Sequence, residues 1–330
     1  MADPVPPDPV PPDPVPPDPV PPDPMAGDRV VLVPWLEPVE RLGSLPTGWR
    51  YDRFGVDDPG LPDSAGEVAF YVPAYSFEPR YTRAIAALPS VRAVQLLTAG
   101  YDHALPYLRD GVALANARGV HDASTAELGV GLILASQREL DRDARAMPSG
   151  EWLTNPTRAL ADSTVLIVGA GSIGAALARR LDGFEAQVLV MASRARPGVH
   201  GVDELLTLLP EVDIVVLVVP LTDATTGLIG SAELEACRPG ALVVNLSRGK
   251  VVDTAALTRA CGAGAVRAAL DVVDPEPLPP DHPLWITPGV LISPHRGGNS
   301  AAFLPRAYRL VAGQVARFVT GQPLEHLVRS

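Results

Sequence analysis

Thr164-Val-Leu-Ile-Val168 runs directly into Gly169-Ala-Gly171-Ser172-Ile173-Gly174, and Ala175 to Leu181 continues with residues that favour helix. A β-branched apolar run, a glycine turn and a helix, in that order, make up the phosphate loop of a dinucleotide fold. Gly169 permits the tight turn, Gly171 lets backbone approach a pyrophosphate, and Gly174 lets the helix pack closely on the strand. Ser172 and Ile173 open the helix, where free amide donors and partial positive charge favour an anion. A glycine triplet alone is a weak signal; its place between strand and helix makes it specific.

The second strand of such a unit, here Gln187 to Met191, normally ends in an acid that binds the ribose 2′-hydroxyl of NAD. This chain reads Val190-Met-Ala192-Ser193-Arg194-Ala-Arg196 there, with no acid. A hydroxyl and two guanidiniums suit a 2′-phosphate instead, because Arg offers planar paired donors to phosphate oxygens. Ser193, Arg194 and Arg196 thus point to NADP(H) as the preferred cofactor, with NAD(H) the alternative.

Working outward, further strands are expected at Ile214 to Val219, Ala241 to Leu246, Ala265 to Leu270 and Val290 to Ser293. Upstream, Arg29 to Val33, Val68 to Val72 and Val91 to Leu97 read as strands of a first unit, with an Ala-rich helix at Tyr81 to Leu88. Alternation of such runs with helical stretches predicts parallel α/β architecture. One long helix is expected from Ala126 to Ala146, bridging the two units, and a last one from Leu304 to Thr320 has no strand after it and should return to the first unit. The expected fold is therefore α/β, with two Rossmann-like domains built on parallel sheets and a cleft between them. Residues 25–121 and 296–330 would form a discontinuous substrate domain, and 122–295 the dinucleotide-binding domain. Residues 1–24 repeat Asp-Pro-Val-Pro-Pro. Proline fixes φ and removes the amide donor, so this tail is expected to be an extended, disordered rod that joins no core.

Asp and Glu total 38 against 27 Lys and Arg, a net charge of −11, which argues against nucleic acid or an anionic membrane as partner. No apolar run approaches the roughly 20 residues of a membrane-spanning helix. The two cysteines, Cys237 and Cys261, make neither a disulfide framework nor a metal-ligand pattern, so no metal and a reducing, cytoplasmic setting are expected.

Hydride transfer to a carbonyl needs a cation for the substrate carboxylate and a proton donor for the developing alkoxide. Asn245-Leu-Ser-Arg248 places Arg248 just past a strand, Ala269-Leu-Asp271 to Glu276 places acids past the next, and Ile292-Ser-Pro-His295 ends the last strand with a histidine. These lie where ligands of open α/β sheets bind.

Taken with Leu97-Thr-Ala99-Gly100-Tyr-Asp-His103, Val219-Pro220-Leu-Thr-Asp-Ala-Thr-Thr-Gly-Leu-Ile229, Asn245 to Asp253, Leu270 to Leu278, His282-Pro-Leu-Trp285 and Ser293-Pro-His295, the chain resembles the D-isomer-specific 2-hydroxyacid dehydrogenases from about Met25 to its end. The resemblance is to the short form, and to NADPH-dependent glyoxylate and hydroxypyruvate reductases in particular. It implies that Arg248 grips the carboxylate and 2-oxo oxygen, that His295 is the acid/base with Glu276 beside it, and that backbone at Ala99 and Gly100 also receives the carboxylate. It further implies that Pro220 and Asp271 lie near the nicotinamide, that the product is the D-2-hydroxy acid, and that the enzyme is a homodimer. A Glu beside His295 would stabilise the imidazolium and keep a proton ready for the carbonyl oxygen. Oxidation of another D-2-hydroxy acid, such as 3-phosphoglycerate, and a non-catalytic NAD(H)-sensing role are the alternatives. The chain departs from the family pattern at Ala192, at Thr125-Ala-Glu127, where Val-Ala-Glu is usual, and at Arg296.

Overall fold

The computed structural model describes residues 29–329; the repeat at 1–24 lies outside the described residues. The first part of the chain runs β1 (Arg29–Val33), α1 (Pro38–Leu42), β2 (Trp49–Arg53), β3 (Val68–Tyr71), α2 (Arg80–Ala87), β4 (Ala93–Gln95) and β5 (Ala113–Ala115). Then come α3 (Asp122–Gln137) and α4 (Leu140–Ala146), followed by β6 (Thr164–Val168), α5 (Ser172–Leu181), β7 (Gln187–Ala192), β8 (His200–Gly201), α6 (Leu205–Leu208) and β9 (Ile214–Leu217). The remainder is α7 (Ser231–Ala236), β10 (Ala241–Asn245), α8 (Thr254–Gly262), β11 (Val266–Leu270), β12 (Val290–Ile292), α9 (Phe303–Val319) and β13 (Leu327–Arg329).

Two sheets result. The first has the order β13-β5-β4-β3-β1-β2 and is parallel except for β13, and the second is parallel throughout in the order β12-β11-β10-β9-β6-β7-β8. Successive side chains of a strand point to opposite faces, and helices cover both faces of each sheet, so both sets are apolar. Leu166 and Val168 enter one core of the second sheet while Val165 and Ile167 enter the other. In the first sheet Val30 and Leu32 pack with Tyr81, Ile85 and Leu88 of the α2 region, whereas Val31 and Val33 pack with Phe303, Ala307, Val311 and Val315 of α9. Burying an aliphatic side chain stabilises by about 1.5–3 kcal/mol, which is what draws α9 back across the whole second sheet's sequence to the first. A buried amide pair reinforces it: Gln314 Nε2 donates to Gln95 Oε1 at 2.7 Å, and both residues are almost fully buried.

The expected long helix is two. α3 begins at Asp122, and the helix is interrupted after Gln137, with Glu139 in the left-handed region at φ 54°. The cause is an arginine from another element. Arg267 on β11 donates to the Ser136 carbonyl at 3.0 Å and to Gln137 Oε1 at 2.5 Å, satisfying the end of α3. Burial lowers the Arg267 pKa to about 10. Strands β2, β5, β8 and β13 were not expected: β2 alternates Trp-Arg-Tyr-Asp-Arg at a sheet edge and the others have two or three residues, so none shows an apolar run. Among the described residues no helix is long and apolar enough to cross a membrane.

Candidate active site

Every residue singled out on the second sheet lies just past the carboxyl end of one of its strands, so the strand order sets their sequence in space. Along that edge come His295 after β12, Asp271 and Glu276 after β11, Arg248 after β10, Pro220 after β9, the glycine loop after β6, and Ser193 to Arg196 after β7. From β6 the chain moves outward through β7 and β8, then returns to the other side of β6 for β9. That reversal is the switch point at which open α/β sheets bind ligands.

The glycine loop is built for close approach. Gly169 has φ 128°, and a Cβ there would stand 2.5 Å from the Val218 carbonyl oxygen; a Cβ on Gly174 would lie 2.0 Å from the Gly169 carbonyl oxygen. Gly171, by contrast, faces open space, with no atom within 4 Å of its Cβ position. A tight turn and packed helix with clear room over the middle glycine fit a pyrophosphate on the first amides of α5, those of Ser172 and Ile173 among them. The Ser172 hydroxyl donates to Asp122 Oδ1 at 3.0 Å, tying α5 to α3. At the far end Ser193, Arg194 and Arg196 are exposed, and neither guanidinium has a partner among the described residues. Mutual Arg196 and Val199 backbone bonds close a reverse turn that begins at Arg196.

At the other end, Glu276 Oε1 and His295 Nδ1 are 2.5 Å apart, each side chain under one-third exposed, while Nε2 has no partner among the described residues. His295 sits in the left-handed region, at φ 51°, a strained setting for a non-glycine residue. Asp271 holds it there. The His295 amide donates to the Asp271 carbonyl at 2.8 Å, and the Arg296 and Gly297 amides donate to the two oxygens of its buried carboxylate at 2.7 and 2.9 Å. Both Asp271 oxygens are therefore engaged by the histidine loop, a duty the sequence did not disclose. Arg248 follows a turn organised by buried Asn245, whose Nδ2 donates to the Arg248 carbonyl and whose Oδ1 accepts from the Ser247 amide and hydroxyl.

The first sheet supplies the opposite wall. The guanidinium of Arg248 lies over Gly100, so close that a Cβ on Gly100 would stand 1.6 Å from Nη2. The carbonyls of Ala99 and Gly100 accept from Asn116 Nδ2 and Thr98 Oγ1, and the two amides have no acceptor among the described residues. Those amides, beside a guanidinium, suit a carboxylate.

Four residues escaped sequence reasoning. Asp102 Oδ1 accepts from Arg248 Nε at 3.2 Å. Phe77, though 74% exposed, meets the His295 ring edge to face at 5.1 Å. Tyr75 stacks on His121 and lies against Phe303; burial raises its hydroxyl pKa, Asp271 raises it further and Arg248 lowers it, so it stays a protonated donor. His121 brackets the domain junction, with Nε2 2.7 Å from the Leu97 carbonyl and Nδ1 3.3 Å from that of Gly298, and burial lowers its pKa. Only Asp102 stood in a motif; the others had no sequence signal. His282 instead caps a short turn, Nδ1 accepting from the Leu284 amide, Trp285 is half exposed with Nε1 donating to the Pro279 carbonyl, and Arg296 points to solvent.

Comparison with known proteins supports the family and the fold. The family described as D-isomer specific 2-hydroxyacid dehydrogenase, NAD binding domain, matches residues 130–297. A glyoxylate reductase of Korarchaeum cryptofilum is 36% identical over 256 residues, 73% of this chain and 77% of that protein. A D-isomer specific 2-hydroxyacid dehydrogenase family protein of Aeromonas salmonicida superposes with TM-score 0.79 at 28% identity, over 92% of this chain and 99% of that one. An NADPH-dependent glyoxylate/hydroxypyruvate reductase of Sinorhizobium meliloti, solved with NADP and sulfate, gives TM-score 0.76 at 26% identity over 91% and 98%. This chain belongs to the D-isomer specific 2-hydroxyacid dehydrogenases, nicotinamide-dependent oxidoreductases acting on 2-hydroxy acids.

Proposed function

We propose that the chain reduces a small 2-oxo acid of the glyoxylate or hydroxypyruvate type to the D-2-hydroxy acid, with NADPH as the preferred reductant. The observation that carries this reading is the His295–Glu276 contact at 2.5 Å, between loops one and two strands away from that of Arg248. A bound nicotinamide supplies hydride from C4. Arg248 and the amides of Ala99 and Gly100 hold the substrate carboxylate, and the guanidinium polarises the 2-oxo group. His295 gives its Nε2 proton to the carbonyl oxygen as negative charge develops there. Glu276 accepts from Nδ1, which fixes the ring's orientation and stabilises the imidazolium before transfer. The cofactor is held by Gly169, Gly171, Ser172, Ile173 and Gly174 at its pyrophosphate, by Pro220 and Asp271 toward its nicotinamide, and by Ser193, Arg194 and Arg196 at a 2′-phosphate.

The NADPH preference is supported by exposed Arg194 and Arg196, whose guanidiniums have no partner among the described residues, beside an acid-free strand end, and by the cofactor of the Sinorhizobium meliloti reductase. The working form is a homodimer, in which a second copy covers Leu140, Met147 and Trp152, exposed by 52, 77 and 91% on and after α4. Light scattering of the purified chain and of Trp152→Glu tests that: the variant should be monomeric and the parent dimeric.

Oxidation of NADPH and NADH across 2-oxo acids from glyoxylate to phenylpyruvate tests the chemistry. Turnover should favour NADPH and small acids, and fall by about 10²–10⁴-fold in His295→Ala. Arg194→Ala should raise KM for NADPH far more than for NADH. Equal effects on both cofactors would overturn the 2′-phosphate assignment, and unchanged turnover in His295→Ala would overturn the acid/base role.

A further inference from the structure

We infer that Asp102 is a positioning residue for Arg248, fixing which edge of the guanidinium meets the substrate carboxylate; this rests on the proposed role of Arg248 as carboxylate anchor. Three contacts determine the attitude of that guanidinium. Nε donates to Asp102 Oδ1 at 3.2 Å, Nη1 donates to the Ser247 carbonyl at 2.8 Å, and Nη2 lies over the Cα of Gly100. With those two donors committed, the hydrogens of Nη2 and the second one of Nη1 are left for a ligand. Nη2 lies against Gly100, whose amide, like that of Ala99, has no acceptor among the described residues.

An acid so near an anion-binding guanidinium weakens its net attraction for a carboxylate, so electrostatics alone gives no reason for Asp102. Orientation does. Arginine recognises carboxylate through a planar fork, and a long side chain left free to rotate offers that fork in one direction only part of the time. Asp102 follows a turn whose carbonyls at Ala99 and Gly100 are tied to Asn116 and Thr98. Asp102 and Arg248 are 146 residues apart and belong to the loops after β4 and β10, so the pair also spans the cleft between the sheets. The guanidinium is thus aligned by the substrate-side wall, and it is aligned only while that wall is in place.

The test uses the full chain with Asp102→Asn and Asp102→Glu, read by steady-state kinetics with glyoxylate and NADPH and by inhibition with oxamate, a carboxylate of similar shape that is not reduced. Asp102→Asn should raise KM for glyoxylate and Ki for oxamate together by about tenfold, the value of one charge-assisted hydrogen bond. KM for NADPH should stay within about twofold, as expected for a distant, independent site, and Asp102→Glu should recover part of the loss. In an Arg248→Gln background Asp102→Asn should have no further effect on the oxamate Ki, which a merely structural role would not predict. A wild-type Ki in Asp102→Asn overturns the inference, as does a tighter Ki, which would make Asp102 a competitor of the substrate. If Asp102→Asn fails to fold, Asp102→Glu carries the same readings, and a wild-type Ki there in place of a partial loss counts against the inference. Failure of the underlying reading looks different: Arg248→Gln alone would then leave glyoxylate KM and oxamate Ki unchanged.

Discussion

Gly100→Ala separates site geometry from stability. A Cβ at this position would stand 1.6 Å from Nη2 and 2.5 Å from Cζ of Arg248, against an ordinary contact distance beginning near 3.4 Å. The guanidinium must therefore retreat by about 1.8 Å. Because the obstructing atoms are the end of a flexible side chain that is a quarter exposed, the fold can accommodate the methyl group at little expense, and Tm should move by no more than about 2 °C. The chemistry cannot. A misplacement of about 1 Å in a group that orients substrate can lower the rate a hundredfold, so kcat/KM for glyoxylate should fall by about 10² or more. The loss should appear in the 2-oxo acid KM and in kcat, with NADPH affinity by fluorescence titration unchanged, since the methyl lies on the substrate side. Wild-type kcat/KM in a correctly folded Gly100→Ala variant would refute the claim that Arg248, lodged against Gly100, anchors the substrate.

The glycine loop gives a paired expectation. Gly174→Ala meets backbone at 2.0 Å and should lower Tm by several degrees, from an overpacking cost of about 1–3 kcal/mol, whereas Gly171→Ala enters open space and should leave Tm unchanged while weakening NADPH binding; thermal scans with and without NADPH check both. Phe77→Ala removes an exposed ring that abuts His295, so Tm should hold while kcat/KM for bulkier 2-oxo acids rises relative to glyoxylate by roughly tenfold, measured on the same substrate panel. Burial pushes the Cys237 thiol up to about 11 and Cys261 up to about 12, so at pH 7.5 both are protonated. Since the thiolate is the reactive form, neither should be alkylated by iodoacetamide in the native protein and both should be after denaturation, as read by mass spectrometry of the intact chain.

Much of the second sheet was legible because its strands are buried on both faces, and such strands announce themselves as unbroken β-branched runs. The edge strand β2 was not, since its Trp-Arg-Tyr-Asp-Arg pattern satisfies a half-buried position without any such run. The break between α3 and α4 was equally hidden: the arginine that ends α3 comes from β11, 131 residues away from the Ser136 it binds. Arg248, Glu276 and His295 could be named as candidates from their places after successive strands, with their roles implied by the family resemblance; Tyr75 and Phe77 carry no local pattern, and Asp102, although it stands in the Leu97 to His103 motif, meets Arg248 only across the two sheets.

The sequence by itself determined what short-range sterics and propensity control, namely the strand–glycine–helix turn at 164–181, the acid-free strand end at Ala192, and the strand-end positions of the reactive side chains. The tertiary structure alone decided which of those side chains meet. His295 finds Glu276 because β12 and β11 are neighbours in the sheet, its strained turn persists because the buried Asp271 takes up the loop amides, and Arg248 takes its attitude from Asp102 and Gly100 on the facing sheet. Contacts of that kind depend on sheet order and domain apposition, which no local stretch of chain encodes.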